Sequence, residues 1–394
     1  MSSSNLVRLA FIEESVLGET PVAGNFSTAR FTSESLSGTP GTTESQQIRS
    51  DRMSSGQIVT SLEVGGEVNF ELAKEGPLDL FMASAMMNAW SVAAPVTVDL
   101  EIDIAAKTIE RASGDFNVDL DVGDIFSTTN FLSLANNTQF QVLQIVSPTV
   151  IRVSIPAGVT SEVGVGTTFK RADRLSIGTT KKSFSMEKSF VDLTTKALIY
   201  KGMLASQMSL SVNYGEIVNG AFEFSGTGYE AADAAGEFIT NARTVVSPAT
   251  TNSMNGSIDM PFISSSAVGL LSDVDFCIQS LGIELNNNLQ AQNCIGEVAP
   301  KDYSAGTAAI SVDLSAYLAN GNWSLLAKKL SQESFAIGFM LKNIDGWYGF
   351  YLPAVQVSFD DPGSSGANQE ISLEMSGTAK VGDSGESALY IYRS

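Results

Sequence analysis

Histidine is absent from the 394 residues of this chain. With it goes the commonest general base near neutral pH and the commonest metal ligand. Cysteine is scarce: Cys277 and Cys294 are not spaced as a CxxC pair and have no histidine to complete a zinc site. The two thiols read as half-buried residues on neighbouring strands, and a chain of this size needs no disulfide framework. Basic residues are few, 23 against 43 acidic, giving a formal charge of −20. A general nucleic-acid binder needs the opposite sign, so binding along a phosphate backbone is excluded. DNA as a neighbour that must not stick is not. No run approaches the roughly 20 apolar residues of a membrane helix. The opening MSSSNLVRLAFIEES carries acids where an export signal needs an apolar stretch. No membrane association is expected, and synthesis is expected in a cytoplasm.

Catalytic motifs are missing too. Without histidine there is no Ser–His–Asp triad, and no GxSxG elbow, GxxxxGK[ST] loop or strand-to-helix GxGxxG occurs. Asp115, Asp119, Asp121 and Asp124 invite a calcium reading, but their spacing does not match an Asp-x-Asp-x-Asp-Gly loop with its closing Glu. Alternation with Phe116, Val118, Leu120 and Val122 explains them better, as the wet face of a strand. No catalytic residue, metal ligand or cofactor-binding residue is assigned, and the chain reads as a non-enzyme.

What is present is β structure. Val68, Phe70 and Leu72 alternate with Glu67, Asn69 and Glu71, the mark of a strand with one buried and one wet face. Gly76-Pro77 then opens a helix whose Leu78, Phe81, Met82, Ala85 and Met86 form an apolar stripe able to lie on a sheet. The unit recurs in the last third. Ile310, Val312 and Leu314 repeat the apolar face, and Trp323, Leu326, Ala327 and Leu330 suit a second short helix. The stretch 204–228 is echoed by 352–379: alternating strand, Gly-, Asn- or Pro-rich turn, alternating strand, Ser-Gly-Thr. This duplication sets the expected architecture: mainly β, with two tandem modules, each a β-sandwich or barrel with a flanking short helix, plus an inserted small β-barrel-like domain.

The boundaries follow composition. Residues 1–90 and 178–245 make a discontinuous first module, 91–177 the insert, and 246–394 the second module. The insert has many short strands at close spacing, with a hairpin about Ser147-Pro148, and suits a compact β-domain standing clear of the main body. Residues 37–45, SGTPGTTES, have the composition of a projecting loop able to order on a neighbouring subunit, and Arg49-Ser50-Asp51-Arg52 suits subunit contacts. In the second module 276–285 and 289–295 read as a strand–turn–strand in the corresponding place, much shorter. Residues 389–392 read as an edge or exchanged strand.

Long alternating strands with a polar second face call for neighbours on their edges, and a ring closes such edges by symmetry. Six modules around an axis would join their sheets into one barrel whose wet face lines a wide lumen. A rival reading from another class is a surface-binding β-domain protein that recognises a receptor or glycan, with the insert as its binding module.

The run QIRSDRMSSGQIVTSLEVGGEVNFELAKEGPLDLFMASAMMNAW, residues 47–90, resembles the major tail tube protein of long-tailed (siphovirus-type) bacteriophages. The closing run 346–393 is similar to that family's C-terminal part, and NNTQFQVLQI looks like inserts seen in such proteins. The resemblance implies a structural virion protein of the tail that stacks as rings into a hollow tube for delivery of genome DNA. It implies six single-module subunits per ring or three double-module ones. The internal repeat favours the homotrimer, with the homohexamer as alternative. It also implies tail tip, tail terminator and tape measure proteins as partners, and DNA passing through without specific binding. Carried onto this chain, the inter-ring contact loop comprises Ser37, Thr39, Pro40, Thr42, Glu44, Arg49, Asp51 and Arg52. The lumen candidates are Glu67, Glu71, Glu223, Asp313 and Glu374, carboxylates that repel phosphates where lysines would retain them.

Overall fold

The computed structural model describes residues 3–394 except 52, 55, 194, 257, 266–276, 319–332, 364–369 and 383–384, with backbone alone for 258–265. The expected second helix at Trp323–Leu330 lies outside the described residues.

The chain is built mainly of β-strands, most of them in one large antiparallel sheet system. Twelve of its strands fall into two sets of six with the same order. In the first half Val7–Glu13 pairs with Ser183–Phe190, then Ala197–Asn213, Asn219–Gly226, Gln57–Glu71 and Ser37–Glu44 follow outward. In the second, Ile258–Ser265 pairs with Ser334–Asn343, followed by Gly346–Phe359, Ser372–Ala379, Ala309–Tyr317 and Ile278–Asn286. Register agrees as well as order. Ser225 of one Ser-Gly-Thr faces Gly65, which faces Ser37; Ser376 of the other faces Asp313, which faces Gly282.

The halves are joined edge to edge. Residues 207–213 of the first pair antiparallel with 280–286 of the second, so one curved sheet runs unbroken from Ser37–Glu44 to Gly346–Phe359. Its inner face carries Val68, Phe70, Met208, Leu210, Phe222, Phe224, Ile283, Val312 and Leu314, all buried in one core. The helix Gly76–Ala85 lies on that face. Pro77 fits its first turn, and Phe81 packs its ring against Phe11, Phe184, Phe222 and Phe224 at centroid distances of 4.7–5.6 Å. Asp79 of this helix ties the halves together, accepting from the Tyr348 hydroxyl at 2.8 Å and pairing with Arg393 at 2.7 Å.

The insert is a bent eight-stranded sheet around its own core of Phe116, Phe126, Phe140, Ile151 and Phe169. The hairpin about Ser147-Pro148 is present, pairing Gln139–Ser147 with Val150–Val153. Two expectations fail here. Residues 116–119 form a helical turn, not an alternating strand, because Asp115 caps it by accepting from the Asn117 N–H at 2.8 Å. Nor does the insert stand clear. Ile125, Leu143 and Ala172 share a cluster with Ala336, Met340, Trp347, Tyr351 and Tyr392 of the second half. Gly123, at φ +92°, lies so close that a Cβ would meet the Tyr351 ring at 2.1 Å.

Three further expectations are corrected. Tyr390–Arg393 is neither an edge nor an exchanged strand: it is paired on both sides, with 348–351 and with Asp173–Ser176 at the exit of the insert. The strand Ile278–Asn286 pairs with Ala309–Tyr317 rather than with 289–295, so the connection spans 287–308 and is longer than its counterpart at 45–56, not shorter. Cys277 and Cys294 are both exposed, not half-buried.

Candidate functional site

Among the described residues two surfaces of the main sheet stand out: the outer face of the continuous sheet, and its open edge with the ribbon beyond it.

The side chains that alternate with the buried ones all emerge on the outer face. The sheet pairs Glu67 with Glu223, Glu223 with Gln207, Gln207 with Asn286, Glu284 with Ser311, Asp313 with Ser376, and Ser315 with Glu374. Glu67, Glu71, Glu223, Asp313 and Glu374 therefore share one face that crosses both halves. Glu67, Glu223, Asp313 and Glu374 are exposed, whereas Glu71 is half-buried and accepts from the Ser253 hydroxyl at 2.7 Å. The face is hollowed, with concavities of about 400, 490 and 340 Å³ along it. Across residues 57–71, 204–226, 278–286, 309–317, 346–359 and 372–379 the sequence has no lysine or arginine. Glu284 belongs to the same row and holds Gln207 at 2.9 Å. Sequence reasoning missed it, although the alternation of Leu281, Ile283 and Leu285 carries the signal. Glu67 and Glu223 stand directly opposite each other, an arrangement that costs stability in a sheet.

The second surface corrects the loop expectation. Ser37, Thr39, Pro40, Thr42 and Glu44 belong to the strand Ser37–Glu44, which pairs with 57–65 and runs past the rim of the sheet as a two-stranded ribbon. Small polar residues hid it, since both its faces are wet and nothing alternates. Arg49 and Asp51 sit at the ribbon tip, paired at 2.6 Å; the Arg49 hydrogen bond draws the Asp51 carboxyl below its ordinary range. Arg52 lies outside the described residues. Among the described residues no strand pairs with the far edge of Ser37–Glu44. Its counterpart in the second half, 280–286, is the edge covered by 207–213. The N–H of Leu62, opposite Pro40, turns away to the Val298 carbonyl. Pro40 thus presents its missing N–H on the open edge, so a strand joining there would find one ladder bond fewer than 207–213 finds at 280–286.

The remaining acid clusters are spent on structure. Asp119 pairs with Arg111 at 2.7 Å, and Arg174 bridges Asp121 at 2.7 Å and Asp124 at 3.0 Å. Asp124 is fully buried, also accepts from Tyr392, and its pKa is raised by that burial. Phe126, Phe131 and Phe140, the aromatics a recognition surface on the insert would use, are buried in its core.

A concave carboxylate face, an open strand edge and a projecting ribbon, with no catalytic constellation among the described residues, define a structural β protein. A family model for phage tail tube proteins matches residues 4–379, and the chain belongs to that family. No curated protein matches it. It is a structural component of the phage tail, and the family self-assembles into the tube.

Proposed function

We propose that this chain forms rings of three, that the rings stack into a hollow tube, and that the concave acidic face lines the channel through which genome DNA leaves. The chain comprises two tandem modules, 1–90 with 178–245 and 246–394, and the insert 91–177 decorates the outside. The observation that carries the reading is the internal junction. Within one chain, 207–213 of the first half covers edge 280–286 of the second. The same frame makes 35–41 the counterpart of 280–286. Ala205 opposite Phe224 corresponds to Phe359 opposite Met375 and Ser206 is a bulge, so the counterpart of 207 onward begins at Asp360, just past the end of the strand Gly346–Phe359. Joining Asp360 onward to 35–41 of the next chain repeats the internal junction, and three repeats close six halves into one barrel. Phosphates then meet carboxylates, which keep DNA moving without a specific site. The tape measure protein occupies the same channel during assembly, and the tail tip and terminator proteins cap the two ends. The tail is of the long, siphovirus type, and the protein is made in the host cytoplasm.

Electron microscopy and mass photometry of the purified protein, with a tail tip preparation as initiator, test the ring. In a variant free of Cys277 and Cys294, Pro40→Cys with Asp361→Cys places thiols at the counterparts of Leu285 and Met208, which face each other across the internal junction. Oxidised tubes are expected to release covalent trimers. Covalent hexamers favour the homohexamer, and tubes without cross-links overturn the edge assignment.

A further inference from the structure

Both halves make a long connection at the same place in the sheet, and the two connections go different ways. The first, 45–56, ends the ribbon and stays in solvent. Every described residue from 46 to 61 is exposed, Ile48, Met53, Ile58 and Val59 among them. Its bonds run inside itself, as between Arg49 and Asp51. The second, 287–308, folds back along the rim of the first half. Asn287 is buried and donates to the Ala85 carbonyl at the helix end at 2.8 Å and to the Ala205 carbonyl at 3.1 Å. Tyr303, also buried, donates its hydroxyl to the Gly226 carbonyl at 2.9 Å, and Asp302 pairs with Lys181 at 2.8 Å.

These contacts converge on the base of the ribbon. The strand Gln57–Glu71 keeps its inner neighbour only as far as Val64, opposite Gly226. Just beyond, the Leu62 N–H donates to the Val298 carbonyl at 2.6 Å, so the returning hairpin takes over where the sheet ends. A cleft of about 570 Å³, lined by Thr39, Leu62, Glu63, Val298 and Tyr303, separates ribbon from hairpin. A two-stranded ribbon alone is marginal in water, and a segment held in its bound direction loses less freedom on docking.

We propose that 287–308 is an arm turned inward: it braces the base of the ribbon, and the ribbon tip alone reaches the copy of the chain in the next ring, giving three such contacts per ring rather than six. The proposal rests on the stacked-ring reading. Ile48 and Met53 at the ribbon tip are exposed aliphatic side chains that the next ring covers. Tyr303 and Asn287 act as positioning residues for that contact, and the exposed Ile295 at the hairpin end takes no part in it.

The test separates the brace from the ring. Hydrogen exchange on the unassembled full chain is compared for wild type and Tyr303→Phe, which keeps the ring in place and removes the bond to Gly226. Exchange of the 57–63 amides is expected to speed up about tenfold, equivalent to roughly 1.4 kcal/mol, with the core strands unchanged. Unchanged exchange at 57–63 overturns the brace whether or not tubes form. In assembly, Ile48→Asp is expected to leave rings that do not stack, and Ile295→Asp to stack as wild type does. Loss of stacking in Ile295→Asp, or normal stacking in Ile48→Asp, overturns the single-arm assignment. Wild-type protein that forms neither rings nor tubes with a tail tip overturns the stacked-ring reading itself and leaves the exchange result standing.

Discussion

The two halves share a strand order and differ in what surrounds it. The first carries its arm in solvent, an open outer edge and the insert after its helix. The second has its arm folded back, its outer edge covered by the first half, and the insert packed on its strands. Two copies in one chain no longer need to be interchangeable. One junction is made within the chain, where the tether supplies a high effective concentration; in the proposed ring its twin is made between chains. On the proposed ring, two halves in one chain confine assembly between chains to half of the available contacts. Changes that strike one half and spare the other put this to the test.

The largest effect is expected where the insert meets the second half. Arg174→Ala leaves Asp124 buried without its cation, and breaking such a pair costs about 3–5 kcal/mol. Calorimetry is expected to show an early transition, with limited proteolysis cutting near 91 and 173 first. A drop confined to the first-half core would break the assignment of the insert to the second half. Phe81→Ala strikes the first half instead: it empties the site between Phe11, Phe184, Phe222 and Phe224, at a cost of about 3–4 kcal/mol. Urea titration followed by hydrogen exchange should place that loss in 57–85 and 183–226.

A smaller effect, dependent on pH, is expected at Glu75. Burial raises its pKa from 4.5 to about 7, against the pull of Arg30 at 3.6 Å. The folded state therefore holds a proton that the unfolded state has released between about pH 4.5 and 7. Stability falls as pH rises through that window, by about 1–3 kcal/mol. Glu75→Gln removes the dependence, so its melting temperature should draw ahead of wild type from pH 5 to 8. Parallel curves would sink the idea. Arg30 also donates to the Thr251 carbonyl at 3.0 Å, in the link between the halves, so hydrogen exchange near 250 should follow the same pH profile.

The central strands and the first helix could be read from period alone, because one face is buried and the other wet: Val68, Phe70 and Leu72, then Leu78, Phe81 and Met82. The acidic row followed from the same alternation, and Glu284 was legible by the rule that gave Glu67. Elsewhere the signal was absent or ambiguous. Ser37–Glu44 is a strand wetted on both faces, so its pairing with 57–65 leaves no apolar imprint. Residues 116–119 alternate like a strand, yet a capping aspartate turns them into a helix. Tyr390–Arg393 has partners on both sides from 39 or more residues away in sequence, a fact of topology that no local pattern carries. The same holds for the direction of 287–308, decided by Asn287 and Tyr303 finding carbonyls on the other half.

The smallest predicted effect compares the halves at one position. In the shared frame Glu67 opposite Glu223 corresponds to Ser315 opposite Glu374. The second half satisfies its glutamate, since Ser315 donates to it at 2.7 Å, while the first sets two carboxylates against each other. Glu67→Ser should therefore stabilise the first half by about 0.2–1 kcal/mol at low salt, and the gain should shrink as salt screens the pair. Ser315→Glu should do the reverse, removing a hydrogen bond and creating the repulsion. Melting temperatures of both variants between 20 mM and 1 M salt check this. A gain from Glu67→Ser that ignores salt would mean the pair is not felt as repulsion, and that the stability lost there is not electrostatic. If the gain follows salt, the first half keeps an unfavourable pair on the concave face, as a surface shaped to repel phosphates would.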